Sequence, residues 1–406
     1  LTILGVVTEY NPFHNGHLHH LEESRKKAKA DLTIAVMSGT FLQRGEPALM
    51  PKWERARMAL AAGADLVAEL PYAFSSQKAS TFANGAVSIL EALGADYLCF
   101  GSEDGEIAPF LRTAEQLKKH EEAYSQRIKE WMKEGMSYPR ALSLAFKEVS
   151  GEGDGGLADL SKPNNILGFQ YISSICEQES RMVPLTIKRT AAGYHDTELP
   201  SGRIASATSL RKSIFSGDGL TGIHSYVPPG VYGIMQDWVQ SGLPLMNWDR
   251  FFSSLQYTVL SMTADELSMI YEVEEGLENR IRTSIRGASS FQEFMERLKT
   301  KRYTWTRLQR MCVHVLTRTT KQEMQEAVNR ERAPYIRILG MNEAGQRHLA
   351  AIKKTSTLPL VVNPRSFNHP ALTLDLRAAD IYAMGFPGSL RPERLRAEYA
   401  TPPVRI

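Results

Sequence analysis

The sequence predicts an α/β protein: a doubly wound, Rossmann-like parallel sheet over residues 1–220, then a mainly helical domain over 221–332 and a small α+β segment over 333–406. Three observations carry this reading. Short apolar runs alternate with amphipathic stretches through the first half, and repeated strand–helix units of that kind assemble as parallel sheets covered by helices. The strand-like runs stop near residue 225, where helical spacing takes over. At 406 residues the chain also exceeds the ~250–300 at which single cores stop growing, so more than one domain is expected.

The first element is Ile3 to Val7, an unbroken apolar run that suits a strand buried on both faces. Asn11-Pro12 breaks it. After His14-Asn15-Gly16-His17 the apolar residues fall at Leu18, Leu21 and Ala28 among charged neighbours, which is helical spacing. His17 therefore stands at a helix N-terminus, where main-chain N–H groups without internal partners, helped by the helix dipole, favour an anion. Phosphate is the natural occupant. Gly16 lets the main chain come close to a ligand. His14 and His17, three apart, reach the same side of the turn, where imidazoles can donate to phosphate oxygens as charge builds on them.

Leu32 to Met37, Leu66 to Leu70 and Tyr97 to Phe100 read as the next strands. Pro51 opens the helix Lys52 to Ala62 and Gly63 closes it; Gly94 stops the following one. In open parallel sheets ligands sit beyond the carboxyl ends of the strands. That rule brings Tyr10 to His17, Ser38-Gly39-Thr40 and Gly101-Ser102-Glu103 to one crevice. Gln43-Arg44-Gly45-Glu46-Pro47, polar and turn-forming, is expected as a loop over it. Glu69, at the end of a strand, either faces the same crevice or is satisfied at the sheet edge.

Residues 106–150 read as amphipathic helix and Gly151 to Gly156 as a break. Pro163 opens a helix with Asn164 in its first turn, placed to bond a base or ribose or to cap the helix. Met182 to Ile187 is a further strand, with Lys188-Arg189 at its carboxyl end. The Arg189 guanidinium suits bidentate contact with phosphate. Ser206-Ala207-Thr208-Ser209-Leu210-Arg211 reads as another helix start, with Ser206 as N-cap, hydroxyls at Thr208 and Ser209, and Arg211 placed for a phosphate. Gly217 to Gly222 is expected as a hinge.

Beyond it, helices are predicted around Trp248 to Ser261, Ala264 to Arg282, Ser290 to Leu298 and Thr304 to Arg330, then a strand at Leu358 to Val362 and a helix at Leu376 to Met384. Between Arg280 and Arg337 fourteen Lys and Arg stand against five Glu, interleaved with Tyr303 and Trp305, which points to nucleic acid. Lys299, Lys301, Arg302, Arg307 and Arg310 are the candidate contacts, the last two sharing one helix face. A net charge of +3 says little by itself. Cys99, Cys176 and Cys312 lie far apart, which suggests neither a disulfide framework nor a zinc site and fits a reducing cytosol. No run approaches the ~18 apolar residues of a membrane span, so a soluble cytoplasmic protein is expected, with no membrane and no protein partner indicated.

The blocks Glu9-Tyr10-Asn11-Pro12-Phe13-His14-Asn15-Gly16-His17, Ser38 to Pro47, Pro163-Asn164-Asn165-Ile166-Leu167-Gly168 and Ile204 to Arg211 together resemble the bacterial tRNA(Met) cytidine acetate ligase family. His-x-Gly-His is itself the motif of the nucleotidyltransferase superfamily, whose members adenylylate a substrate and release pyrophosphate. The resemblance covers the first half closely and the second loosely. It implies a nucleotidyltransferase fold with His14 and His17 catalytic. The implied ATP site comprises Val7, Thr8, Glu9, Tyr10, Asn11, Pro12, Phe13, His14, Asn15, Gly16, His17, His20, Gly101, Asn164, Arg189, Ser206, Thr208, Ser209 and Arg211. Its substrates would be ATP, with Mg²⁺, acetate, and elongator tRNA(Met), acetylated at N4 of the wobble cytidine; no dedicated protein ligands for a metal are expected. Nothing resembles a coenzyme-A-binding acetyltransferase, so free acetate is the expected donor. A coenzyme-type adenylyltransferase would share the histidines but has no use for the basic helical half, and a non-catalytic RNA-binding protein has no need of intact His14, His17 and Ser206 to Arg211.

Overall fold

The computed structural model describes residues 1–150, 156–189, 199, 202–274 and 276–406; of the expected break at Gly151 to Gly156, all but Gly156 lies outside them. Seven strands form one sheet: β1 (Ile3–Thr8), β2 (Leu32–Ser38), β3 (Leu66–Leu70), β4 (Tyr97–Ser102), β5 (Val183–Lys188), β6 (Arg337–Met341) and β7 (Val404–Arg405), in the order β5-β4-β1-β2-β3-β6-β7. The first five pair in parallel, as the apolar runs predict. From β1 the chain builds outward through β2 and β3, then returns to place β4 and β5 on β1's other side. The order therefore reverses between β1 and β4. At such a switch point the loops leaving the two strands diverge and open a crevice.

Local chemistry sets the boundaries. The helix Pro163–Glu177 begins at its proline, and the helix Ala207–Ser213 begins at Ser206, whose hydroxyl accepts the Ser209 N–H. Residues 108–150 form three helices, Ala108–Lys119, Glu121–Lys133 and Tyr138–Ser150. The helical half is more finely divided than its spacing predicts. Ala264 to Arg282 is the short helix Ala264–Ser268 and then Leu277–Arg286; Thr304 to Arg330 is Trp305–Leu316 and then Lys321–Ala327. The first break follows Glu272 and Gly276, at φ 64° and 86°; in the second, Arg318 at φ 52° turns the chain and a capping box at Thr320/Glu323 starts a new helix inside what reads as one apolar period.

The C-terminal segment departs most from expectation. Leu358 to Val362 contributes only one bridge, Leu360 to Ile336. The strands there are β6, antiparallel to β3, and β7, parallel to β6. β6 is hard to read because it carries Arg337 and Gly340. Both are required where they stand: a Cβ on Gly340 would lie 2.8 Å from Leu60, and Arg337 enters a buried charge cluster. Lys52 Nζ lies 2.7 Å from Glu69 and 2.9 Å from Glu398, and Arg337 pairs with Glu398 and stands 3.9 Å from Glu69. Glu69 thus points away from the crevice. Deleting one member of such a group strands an opposite charge in the interior, at a cost of roughly 3–5 kcal/mol. Residues 333–406 are therefore joined by hydrogen bonds and ion pairs to the sheet of the first 220, not set apart from it.

A candidate nucleotide site at the switch point of the sheet

Leaving β1, the chain turns through Tyr10 at φ 49° and a cis Asn11-Pro12 bond to reach His14, the N-cap of the helix Asn15–Ala28. His14 caps with its ring: Nδ1 accepts the Gly16 N–H at 3.0 Å, while the His14 N–H donates to Nδ1 of His17 at 3.2 Å. The two rings stack with centroids 3.7 Å apart. Because both Nδ1 atoms are acceptors, each neutral ring carries its proton on Nε2 and retains that N–H as a donor. Gly16 is required by this geometry, since a Cβ there would stand 2.9 Å from the His14 ring.

Burial, and after it the charges of Arg189 and Arg211, pushes the His14 pKa down to about 3. Burial likewise holds His17 well below its usual value and His20 down at about 4. A histidine whose folded pKa is depressed binds its proton in the unfolded chain first, so its contribution to stability is whole above ~6.5 and is lost as pH falls toward the folded value. The buried His314, pushed down to about 4, acts in the same direction. The ligand-free protein is thus expected to lose Tm steadily between pH 6.5 and 4, as measured by calorimetry. Substituting His14 and His17 by Gln should flatten that slope.

The crevice is a cavity of about 300 Å³. Of the residues predicted for the nucleotide, Val7, Thr8, Glu9, Tyr10, Asn11, His14, Gly16, His17, His20, Gly101, Asn164, Arg189, Ser206, Thr208 and Arg211 line it. Pro12, Phe13, Asn15 and Ser209 do not. Phe13 is core, and Ser209 is buried with its N–H and hydroxyl bonded to Ser206. The Asn15 amide donates to the carbonyls of Arg203 (2.8 Å) and Ser225 (3.0 Å), fastening the helix start to the chain on either side of the helix Ala207–Ser213. Asn164 donates to Glu103 at 3.1 Å. A Cβ on Gly101 would come within 3.0 Å of Arg189, so the glycine leaves that side chain its place.

Sequence reasoning missed several wall residues. Gln43, Arg44 and Glu46 reach the cavity from the expected loop; the loop was legible but its individual roles were not. Phe82, Phe100, Leu167 and Tyr171 form an apolar wall from residues that read as ordinary core positions. Arg55 left no signal at all. It lies buried in the helix Lys52–Ala61 and donates to the carbonyls of Glu9 (2.7 Å), Ser38 (3.0 Å), Met50 (3.0 Å) and Gly39, tying together the ends of β1 and β2. Burial pushes its pKa down to about 10, which leaves it charged at neutral pH. Glu9, its carboxyl pKa raised by burial, accepts the Gln43 N–H at 2.8 Å and the Ser38 hydroxyl at 3.2 Å. Arg211 bonds the Asn11 carbonyl at 2.8 Å and pairs with Glu46. The arrangement offers two aligned imidazole donors and three guanidinium groups (Arg44, Arg189, Arg211) around one cavity, which suits a polyphosphate.

The basic candidates separate. Lys299, Lys301 and Arg302 are exposed. Arg307 lies over the Tyr303 ring at 4.6 Å and near Glu274 at 3.3 Å. Arg310 is a correction: it is buried, forked onto Glu272, and donates to the Gln77 carbonyl, so it has no guanidinium to offer RNA. Nor does it behave like Arg307, because the helix Trp305–Leu316 is buried continuously from Leu308 onward. Tyr303 is also buried and serves as a platform for Arg302 and Arg307 rather than for a base.

The family model described as HIGH Nucleotidyl Transferase matches residues 1–397. The tRNA(Met) cytidine acetate ligase of Halalkalibacterium halodurans is 51% identical over 99% of this chain and 97% of its own, and that of Bacillus subtilis 49% identical over the same shares. Among solved structures, apo Thermotoga maritima TmcAL superposes with a TM-score of 0.90 at 33% identity, each chain covered fully. The same protein bound to alpha-thio ATP gives 0.88 at 32% identity, again with full coverage of both. Among the described residues no helix is long and apolar enough to cross a membrane.

Proposed function

The chain belongs to the HIGH nucleotidyl transferase family and, within it, to the tRNA(Met) cytidine acetate ligases, and on that premise we propose that its crevice activates acetate with ATP and delivers the acetyl group to N4 of the wobble cytidine of elongator tRNA(Met). The observation that carries the reading is the pair of stacked histidines, each with its Nε2–H retained, set among Arg44, Arg189 and Arg211 at the switch point.

In the first step an acetate oxygen attacks the α-phosphorus; the bond from that phosphorus to the bridging oxygen breaks, and its electron pair leaves with pyrophosphate. No covalent enzyme nucleophile is needed. Positioning and charge stabilisation suffice: His14 and His17 donate to the phosphate oxygens as charge accumulates, and the arginines meet the departing pyrophosphate. The rings are neutral, and each still donates through Nε2–H because its Nδ1 is the acceptor of a main-chain N–H. The apolar wall of Phe82, Phe100 and Tyr171 suits the adenine. A magnesium ion brought with ATP would supply charge neutralisation on the phosphates, and the carboxylates of the lining that could help hold it are those of Glu9 and Glu46. In the second step the cytidine N4 attacks the acetyl carbon, AMP leaves, and one N4 proton is released.

The test is acetate-dependent ATP–pyrophosphate exchange without tRNA, followed by transfer of labelled acetate into total tRNA. Exchange with acetate and recovery of N4-acetylcytidine are expected. Exchange dependent on a phosphorylated small molecule instead of a carboxylate would replace this reading with a coenzyme-type adenylyltransferase.

A further inference from the structure

The loop Phe41–Pro47 carries Gln43, Arg44 and Glu46 into the crevice, yet much of what holds it comes from the helical half of the chain. Phe41 and Pro47 bridge its ends, and the Leu42 N–H to Glu46 carbonyl and Gly45 N–H to Leu42 carbonyl bonds, each 2.9 Å, tighten it into a turn. Its tip lies against the helix Trp305–Leu316. A Cβ on Gly45, at φ 75°, would stand 2.2 Å from the Arg310 main-chain nitrogen, so loop and helix touch backbone to backbone. Two side chains then hold the tip by its carbonyls. Trp248, stacked on Phe291 at 4.2 Å, donates its indole N–H to the Gly45 carbonyl at 2.8 Å. The Gln309 amide donates to the Arg44 carbonyl at 3.0 Å while its own oxygen accepts the Trp305 indole N–H at 3.2 Å.

We propose that Gln309 is a positioning residue for adenylate formation: fixed from behind by Trp305, its amide holds the Arg44 carbonyl and so sets where the Arg44 side chain meets the phosphates. Trp248 performs the same service one residue on. The inference rests on the function proposed above. The indole bond settles the amide's orientation, because an oxygen accepting from Trp305 leaves the NH₂ toward Arg44. The loop's side chains are sensitive to such a hold, since Arg44 feels the charges of Glu9, Glu46, Arg211 and Arg189, and a small rotation of the turn alters that balance. Misplacement of a reacting arrangement by an ångström can cost as much as ~10²-fold in rate.

The experiment is a double-mutant cycle on acetate-dependent ATP–pyrophosphate exchange in the full chain. Gln309→Ala is expected to lower kcat about tenfold, with a smaller change in the KM for ATP. Gln309→Glu should be worse than Gln309→Ala, because it keeps the acceptor for Trp305 but sets a carboxylate against the Arg44 carbonyl. In an Arg44→Ala background, Gln309→Ala should add less than about twofold, as expected of two changes that act through one group. A merely structural role for Gln309 predicts losses that multiply, and multiplying losses or wild-type kcat in Gln309→Ala would overturn the proposal. Should the Gln309 variants fail to fold, Trp248→Phe, which removes the indole N–H and the fused five-membered ring but keeps an aromatic ring against Phe291, takes their place in the cycle: a loss that vanishes in the Arg44→Ala background supports the proposal, and one that multiplies overturns it. Absence of exchange in the unmodified protein would instead overturn the underlying function, and this proposal with it.

Discussion

Replacing either His14 or His17 by alanine is expected to lower the kcat of acetate-dependent pyrophosphate exchange by ~10²–10³, as is typical when one preorganised donor to a developing charge is lost. The KM for ATP should change far less. Each ring presents an Nε2–H whose placement is settled before substrate arrives, by the Gly16 N–H on one Nδ1 and the His14 N–H on the other. Those donors gain most where negative charge gathers on the phosphate oxygens, which is in the transition state and not in bound ATP, so the loss belongs in kcat. The rings are also coupled by stacking and by the reciprocal cap, so the double variant should cost less than the product of the single losses. His14→Ala additionally removes the side-chain cap of the helix Asn15–Ala28, worth ~1 kcal/mol. His17→Ala keeps the His14 bond to Gly16 but loses the return bond from the His14 N–H, so Tm measured beside kcat for both variants separates stability from chemistry. Near-normal exchange in the double variant would remove the histidines from the mechanism.

Reversing Lys299, Lys301 and Arg302 to Glu is expected to weaken tRNA binding by ~10² or more at moderate salt and to reduce the slope of log K against log salt by about 2–3, as follows from losing three phosphate contacts. Pyrophosphate exchange should be untouched. These three cations are exposed and face solvent at the turn before the helix Trp305–Leu316. Arg310 belongs outside the set, since its neutralisation would strand Glu272 in the interior and report on folding instead of RNA. Unchanged affinity and salt slope, measured by filter binding or fluorescence anisotropy across a salt series, would move the RNA surface elsewhere.

How much of this was legible in the sequence follows from the range of the forces involved. The five parallel strands and the helix starts at Pro163 and Ser206 are local facts: an apolar run, a proline, a serine before an amphipathic stretch. The crevice followed from one topological rule applied to those strands. Arg55 was not legible because its function lies in four carbonyls of other segments, and a helical arginine looks alike whether it meets water or main chain. Arg310 failed for the same reason in reverse, since charge count cannot tell a solvated cation from one forked onto Glu272. β6 was hidden because Arg337 and Gly340 answer to partners at Glu398, Leu60 and Val404. The finer division of the helical half shows a milder form of this effect, in which a threonine cap interrupts an apolar period that otherwise continues.

The pairing of β3 with β6 has a consequence for how the protein is made. β3 ends at Leu70 and β6 begins at Arg337, so a nascent chain that has completed the nucleotide crevice's strands still presents β3 as an open edge. From the end of β5 at Lys188, the last of those strands, the stretch to Arg337 takes on the order of 7–30 s to synthesise at ~5–20 residues per second. Throughout that interval Lys52 and Glu69 lack Arg337 and Glu398, and a row of unpaired main-chain groups is available to any other strand nearby. The translating ribosome thus holds a nearly finished ATP site beside an adhesive sheet edge until β6 emerges to cover it.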